Sequence, residues 1–131
     1  MTSEEKKNYC LSMANTIWNS LFCSITLPVA MSWGIKKKTA TYYKDMPALK
    51  IQVNGLVHKG TVIVAYNEGS DFFDAFFFDK RNQCIKTIED ICFDELGLRL
   101  DENIERPESM SKEQYKAESW ADTINNIVQH V

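Results

Sequence analysis

The sequence predicts an α+β fold: an N-terminal helix, an antiparallel β-meander of about five strands, and two C-terminal helices. Three observations carry that reading. Ile51–Lys80 holds the densest apolar and β-branched content of the chain, and it is broken at Asn54-Gly55 and at Asn67-Glu68-Gly69-Ser70. Asn-Gly supplies the positive φ angles of a two-residue hairpin, so the stretch reads as consecutive antiparallel strands. Around it, apolar residues recur every three or four positions at both ends of the chain, the period of helices packed by one face. At 131 residues there is room for one domain with one core.

In chain order, residues 1–24 read as a helix. Thr2 and Glu5 have capping-box spacing, and Leu11, Ala14, Ile17, Trp18, Leu21 and Phe22 form its apolar stripe. Ile25–Ile35 contains Pro28, which cannot donate to a ladder, and is expected as an edge strand or a loop laid on the core. The sheet is expected over 30–86. Lys36, Lys37 and Lys38 read as a solvated hairpin tip, and Lys44-Asp45-Met46-Pro47 as a turn. Leu49, Ile51 and Val53 alternate with Lys50 and Gln52 as in a half-buried strand; a two-residue Asn54-Gly55 turn would then set Val53 opposite Leu56 and Ile51 opposite His58. Val62–Tyr66 and Phe72–Phe78 are apolar on both alternating sets, so their sheet needs cover on both faces. Cys84–Lys86 reads as a short last strand, and 87–106 as a helix capped by Thr87 and striped with Ile88, Ile91, Cys92, Leu96, Leu100 and Ile104. After Pro107, residues 111–131 read as a final helix whose wide apolar stripe must be buried. Trp120, Ile124, Ile127, Val128 and Val131 are its candidates for self-association, with a two-fold dimer expected.

Charge is divided along the chain. Residues 30–86 carry nine Lys/Arg against five Asp/Glu, and residues 87–131 carry four against eleven, within a net charge of −3. A mildly basic sheet next to an acidic C-terminal third falls well short of the footprint of a typical nucleic-acid binder. Cys10, Cys23, Cys84 and Cys92 make no Cys-x-x-Cys or Cys/His ligand pair, so no metal or cofactor is expected. No signal peptide or membrane span is read, and the chain is expected to be cytoplasmic with reduced thiols.

Known catalytic patterns are not visible. No GxSxG elbow, GxGxxG fingerprint or phosphate loop occurs, and Asp71 and Asp74 are spaced to opposite faces of a strand. Asp90 with Asp94, and Asp101 with Glu105, read as solvated helix surface. The surface that stands out is basic: Lys36, Lys37, Lys38, Lys44, Lys50, His58 and Lys59 on adjacent strands and turns, with Tyr42 and Tyr43 beside them as stacking groups.

Trp33-Gly34, LKIQVNGLVHKGTVIVAYNEGSDFFD and TIEDICFDELG together resemble small proteins encoded by phages and mobile elements of gut bacteria, over roughly residues 32–106. The resemblance implies a mobile-element origin and carries no established activity or site residue. Compact acidic proteins of that origin often bind a host machine, so the expected function is non-enzymatic: an inhibitor of a host defence system, of anti-CRISPR or anti-restriction type, acting on a host protein complex. The alternatives are a nucleic-acid-binding accessory protein using the lysines, and a small-molecule binder with a pocket lined by Trp33, Tyr42, Tyr43 and phenylalanines.

Overall fold

The computed structural model describes residues 2–105 and has the predicted α+β architecture. Helix α1 (Ser3–Leu21) and a short α2 (Leu27–Ser32) precede five strands, β1 (Lys37–Tyr43), β2 (Met46–Asn54), β3 (Lys59–Asn67), β4 (Phe72–Phe78) and β5 (Cys84–Ile91), and helix α3 (Leu96–Ile104) closes the described chain. The strands pair antiparallel in the order of the sequence. The expected final helix, with Trp120, Ile124, Ile127, Val128 and Val131, lies outside the described residues.

Helix α1 starts as its sequence specifies, with the Thr2 hydroxyl accepting from the Glu5 N–H at 3.1 Å. Ala14, Ile17 and Leu21 bury against the sheet, while Leu11 is 47% exposed and Cys10 is buried. The Pro28 region is helix, not edge strand: Pro28 occupies the first turn of α2, where no N–H is needed. Gly34 at φ +63° ends that turn and sends the chain into β1.

Two turns exchange their expected roles. The two-residue hairpin is at Lys44-Asp45, both at positive φ, with Tyr43 opposite Met46. Lys37 and Lys38 therefore belong to a strand rather than to a hairpin tip. At Asn54-Gly55 the loop is longer: Val53 pairs with Gly60 and Ile51 with Val62, not with Leu56 and His58. The C-terminal end of α3 pins this loop, since Val57 and His58 both donate their N–H to the Ile104 carbonyl at 2.9 and 3.0 Å. Leu56 donates to the Glu105 carboxylate at 2.8 Å. A Cβ on Gly55 would sit 2.2 Å from that Ile104 carbonyl oxygen, so glycine lets the helix end approach.

The predicted helix over 87–106 is half strand. Thr87, Ile88 and Ile91 extend β5 against β4, and helix begins only at Leu96. Asp90 is thus a strand residue at φ +57°, not the helix-face partner of Asp94, and Cys92 is not helical. The stripe Leu96, Leu100, Ile104 survives and packs on the helix face of the sheet with Leu49, Ile51, Val53, Val62, Val64, Phe73 and Phe77. Trp33 is enclosed there, its indole N–H donating to Asp101 at 2.8 Å.

The other face of the sheet closes on itself. Neither α1 nor α3 packs there, yet Phe76 is 4% exposed. Tyr43 from β1 reaches across the paired Ala48 and Ala65 to meet Phe76 and Phe78 of β4 edge-on, at 4.7 and 5.7 Å between ring centroids. Small residues at the centre and aromatics at opposite corners let the twisted sheet coil over this second face.

Candidate functional site: the groove between α1 and β1

Alternation along the strands divides the predicted basic surface. Lys38 and Tyr42 share the helix face with Leu49 and Ile51, whereas Lys37, Tyr43, Lys50 and Lys59 are on the second face. Lys44 reaches that second face too, its Nζ 5.0 Å from the centre of the Phe76 ring and 5.6 Å from that of Tyr43. Lys36 precedes β1, and its N–H bonds to the Gln52 carbonyl at 2.9 Å. His58 belongs to neither face as a surface group. It is buried in the β2–β3 loop with its ring edge-on to Phe77, and its Nε2 has no partner among the described residues. The nine residues do not form one patch.

What the structure assembles instead is a groove of about 350 Å³ along the outer side of β1, lined by Ser3, Lys6, Lys7, Cys10, Leu11, Ala40, Thr41 and Tyr42. Helix α1 runs antiparallel to β1: Lys6 lies over the Tyr42 ring at 4.6 Å, the Cys10 thiol donates to the Thr41 carbonyl at 2.9 Å, and Lys38 lies over the Trp18 ring at 4.1 Å. Ser3, Lys6, Lys7, Cys10 and Leu11 recur every three or four residues, which puts them on one flank of the helix. Of the predicted candidates only Tyr42 lines this groove, with Lys38 beside it. Sequence reasoning missed Lys6, Lys7, Cys10, Ala40 and Thr41, although the stripe of α1 extends backwards through Cys10, Lys7, Lys6 and Ser3 and was a usable signal.

One end of the groove is polar. Tyr9 donates its hydroxyl to Glu68 of the β3–β4 turn, which pushes its phenol up to about 12. Tyr66 donates to Asp71 at 2.5 Å, and that hydrogen bond likewise raises its phenol. Desolvation first, and then Cys10 and Glu68, hold Tyr42 above its ordinary value. These phenols are donors at neutral pH, not latent bases.

The strand wall has a main-chain side. A two-residue turn makes Tyr43 and Met46 the hydrogen-bonded closing pair, so by alternation Thr41, Thr39 and Lys37 also bond to β2. The N–H and C=O groups of Lys38, Ala40 and Tyr42 then point away from the sheet, and no main-chain ladder meets them among the described residues. The opposite edge differs. Strand β5 has two register shifts against β4, and Asp90 sits at positive φ where its N–H turns back to the Asp74 carboxylate at 3.1 Å. Bulges of that kind blunt an edge, whereas β1 keeps one register over seven residues.

Among the described residues no group of three or more His, Cys, Asp or Glu side chains is placed to hold a metal ion. None of their helices is long and apolar enough to cross a membrane. Compared with protein-family models, curated proteins and solved structures, the chain gives no match.

Proposed function

We propose that the protein is a non-enzymatic interaction module that binds an acidic protein partner along the α1–β1 groove. One observation carries this reading: an apolar trough of Leu11, Ala40 and Tyr42 has Lys6 and Lys7 on its α1 wall, with Lys38 further along β1 over the Trp18 ring. Apolar floor with charged rim is the pattern of a surface that gains affinity from burial and selects its partner by charge. The resemblance to mobile-element proteins extends the reading to a host defence component as the partner, with this chain as its inhibitor.

A nucleic-acid reading has its own observation in favour, the four lysines Lys37, Lys44, Lys50 and Lys59 on the second face around Tyr43. It ranks second because base stacking needs an open aromatic face. There Phe76 is buried, and Tyr43 is already engaged by Phe76, Phe78 and the Lys44 ammonium. A net charge of −3 also opposes non-specific attraction to phosphates.

Fluorescence anisotropy at about 150 mM salt separates the two, with labelled polyglutamate against a labelled random duplex. The proposal expects duplex affinity weaker than about 100 μM. Polyglutamate should bind at least about tenfold tighter, and Lys6→Glu with Lys7→Glu should abolish it, since each reversal sets like charges against the ligand. Tight, salt-sensitive duplex binding lost on Lys50→Ala with Lys59→Ala would reverse the order.

A further inference from the structure

We infer that the α1–β1 groove takes its partner as an extended strand, an acidic peptide segment added antiparallel or parallel to β1 as a sixth strand of the sheet. This deepens the interaction reading above and rests on it. Along β1 the outward groups of Lys38, Ala40 and Tyr42 present N–H and C=O alternately, in one unbroken register. A ligand that satisfies this row must supply acceptors and donors at strand spacing. A polypeptide does so, whereas a phosphate backbone offers acceptors only and would face the carbonyls unpaired.

The side walls specify the rest. In an added strand alternate side chains would point towards α1, where Leu11 is exposed and Ala40 leaves space, so those positions suit medium-sized apolar groups. Lys6 and Lys7 border the same trough, and Lys36, Lys37 and Lys38 stand together at the start of β1. The intervening and flanking positions therefore suit Asp or Glu. The same lysines disfavour a second copy as the occupant, because β1 paired with its own symmetry mate would bring two lysine sets together. The occupant is an acidic–apolar alternating segment of another protein.

The test uses the full chain and a blocked peptide, acetyl-Glu-Val-Glu-Val-Glu-Val-Glu-amide, with a second peptide of the same sequence N-methylated at alternate residues. Amide hydrogen exchange by NMR is read at saturation. Strand addition predicts that exchange at Lys38, Ala40 and Tyr42 slows at least about tenfold, and that the N-methylated peptide binds at least about tenfold more weakly, since it forfeits hydrogen bonds worth roughly that factor. Ala40→Pro should weaken the parent peptide by a similar factor by removing one outward N–H and crowding the edge. Because Ala40→Pro could also disturb folding, Ala40→Arg, which fills the trough and keeps the main chain, serves beside it and should weaken binding too. If both peptides bind equally, with shifts at Lys6 and Lys7 but no slowing at Ala40 or Tyr42, strand addition is overturned while acidic-partner binding stands. If neither peptide shifts any α1 or β1 resonance at about millimolar concentration, both readings fall.

Discussion

Replacing Gly97 with alanine sets two effects of opposite sign against each other. Gly97 lies inside α3, and by helix propensity alone alanine would stabilise the protein by about 1 kcal/mol. In the structure α3 crosses the end of α1 at this residue. An added Cβ would stand 2.2 Å from the Leu21 carbonyl oxygen, 2.8 Å from the Ser24 hydroxyl and 2.9 Å from Ile25 Cγ1. The first of these is main chain and cannot rotate aside, so the helices must move apart. That displacement disturbs Leu21, Leu96 and Leu100, all fully buried, and the bond from the Leu98 N–H to the Ser24 hydroxyl at 3.1 Å. Overpacking of this kind costs about 1–3 kcal/mol, and the upper end applies where backbone is the obstacle. The net expectation is a loss of about 1–2 kcal/mol, read as a lower urea midpoint by circular dichroism with unchanged m, and a melting temperature lower by roughly 4–8 °C. Gly55→Ala should cost at least as much, having the same 2.2 Å approach, to the Ile104 carbonyl oxygen, and no helix propensity to offset it. Gly69→Ala meets only the Asn67 side chain at 3.3 Å and should change stability by less than about 1 kcal/mol. A Gly97→Ala protein as stable as the parent would refute the close crossing of α1 and α3.

Three further perturbations have defined outcomes. Asp101→Ala removes the acceptor of the enclosed Trp33 indole N–H and should cost about 1–3 kcal/mol in urea melts; a change under about 0.5 kcal/mol would mean the bond is dispensable. His58→Phe replaces a buried ring whose Nε2 has no partner among the described residues with an apolar one against Phe77, and should leave stability within about 1 kcal/mol; a loss above about 2 kcal/mol would assign the imidazole a polar role. Tyr9 is the alkaline reporter: its folded phenol is raised above 10.0 to about 12, so the stability it contributes is present below pH 10 and is lost as pH rises towards 12. Ultraviolet titration of Tyr9→Phe should lack the highest-pH phenolate step, and an unchanged curve would contradict the Tyr9–Glu68 bond.

Local signals that agreed with tertiary packing were legible in the sequence. The Thr2 cap, the Leu49–Ile51–Val53 alternation and the Asn67–Ser70 turn, where the Asn67 side chain accepts from the Gly69 N–H at 3.0 Å, all stand where expected. Signals overridden by distant contacts were not. Asn54-Gly55 is strong local hairpin chemistry, but the end of α3, some fifty residues away, claims the N–H groups of Val57 and His58 and lengthens the loop. The turn read at Lys44–Pro47 is present, but its two-residue form, with Lys44 and Asp45 at positive φ and no glycine, is not one that composition announces. Ile88 and Ile91 satisfy a three-residue period and also a strand with bulges; pairing with β4 decided for the strand. The basic surface divides for a related reason. Neighbouring strands do not make one face, since alternation sends Lys38 and Tyr42 one way and Lys37, Tyr43 and Lys50 the other. The two walls of the groove are some thirty residues apart in sequence, so only the packing of α1 beside β1 reveals it.

The proposed seat of an acidic partner is the helix-side groove rather than the second face of the sheet. An amide-resolved NMR titration of the full chain with polyglutamate tests it directly. Binding in the groove predicts the largest shifts at Lys6, Lys7, Lys38, Ala40 and Tyr42, with Lys50 and Lys59 unmoved. Shifts concentrated on Lys37, Lys50 and Lys59, with α1 silent, would contradict it.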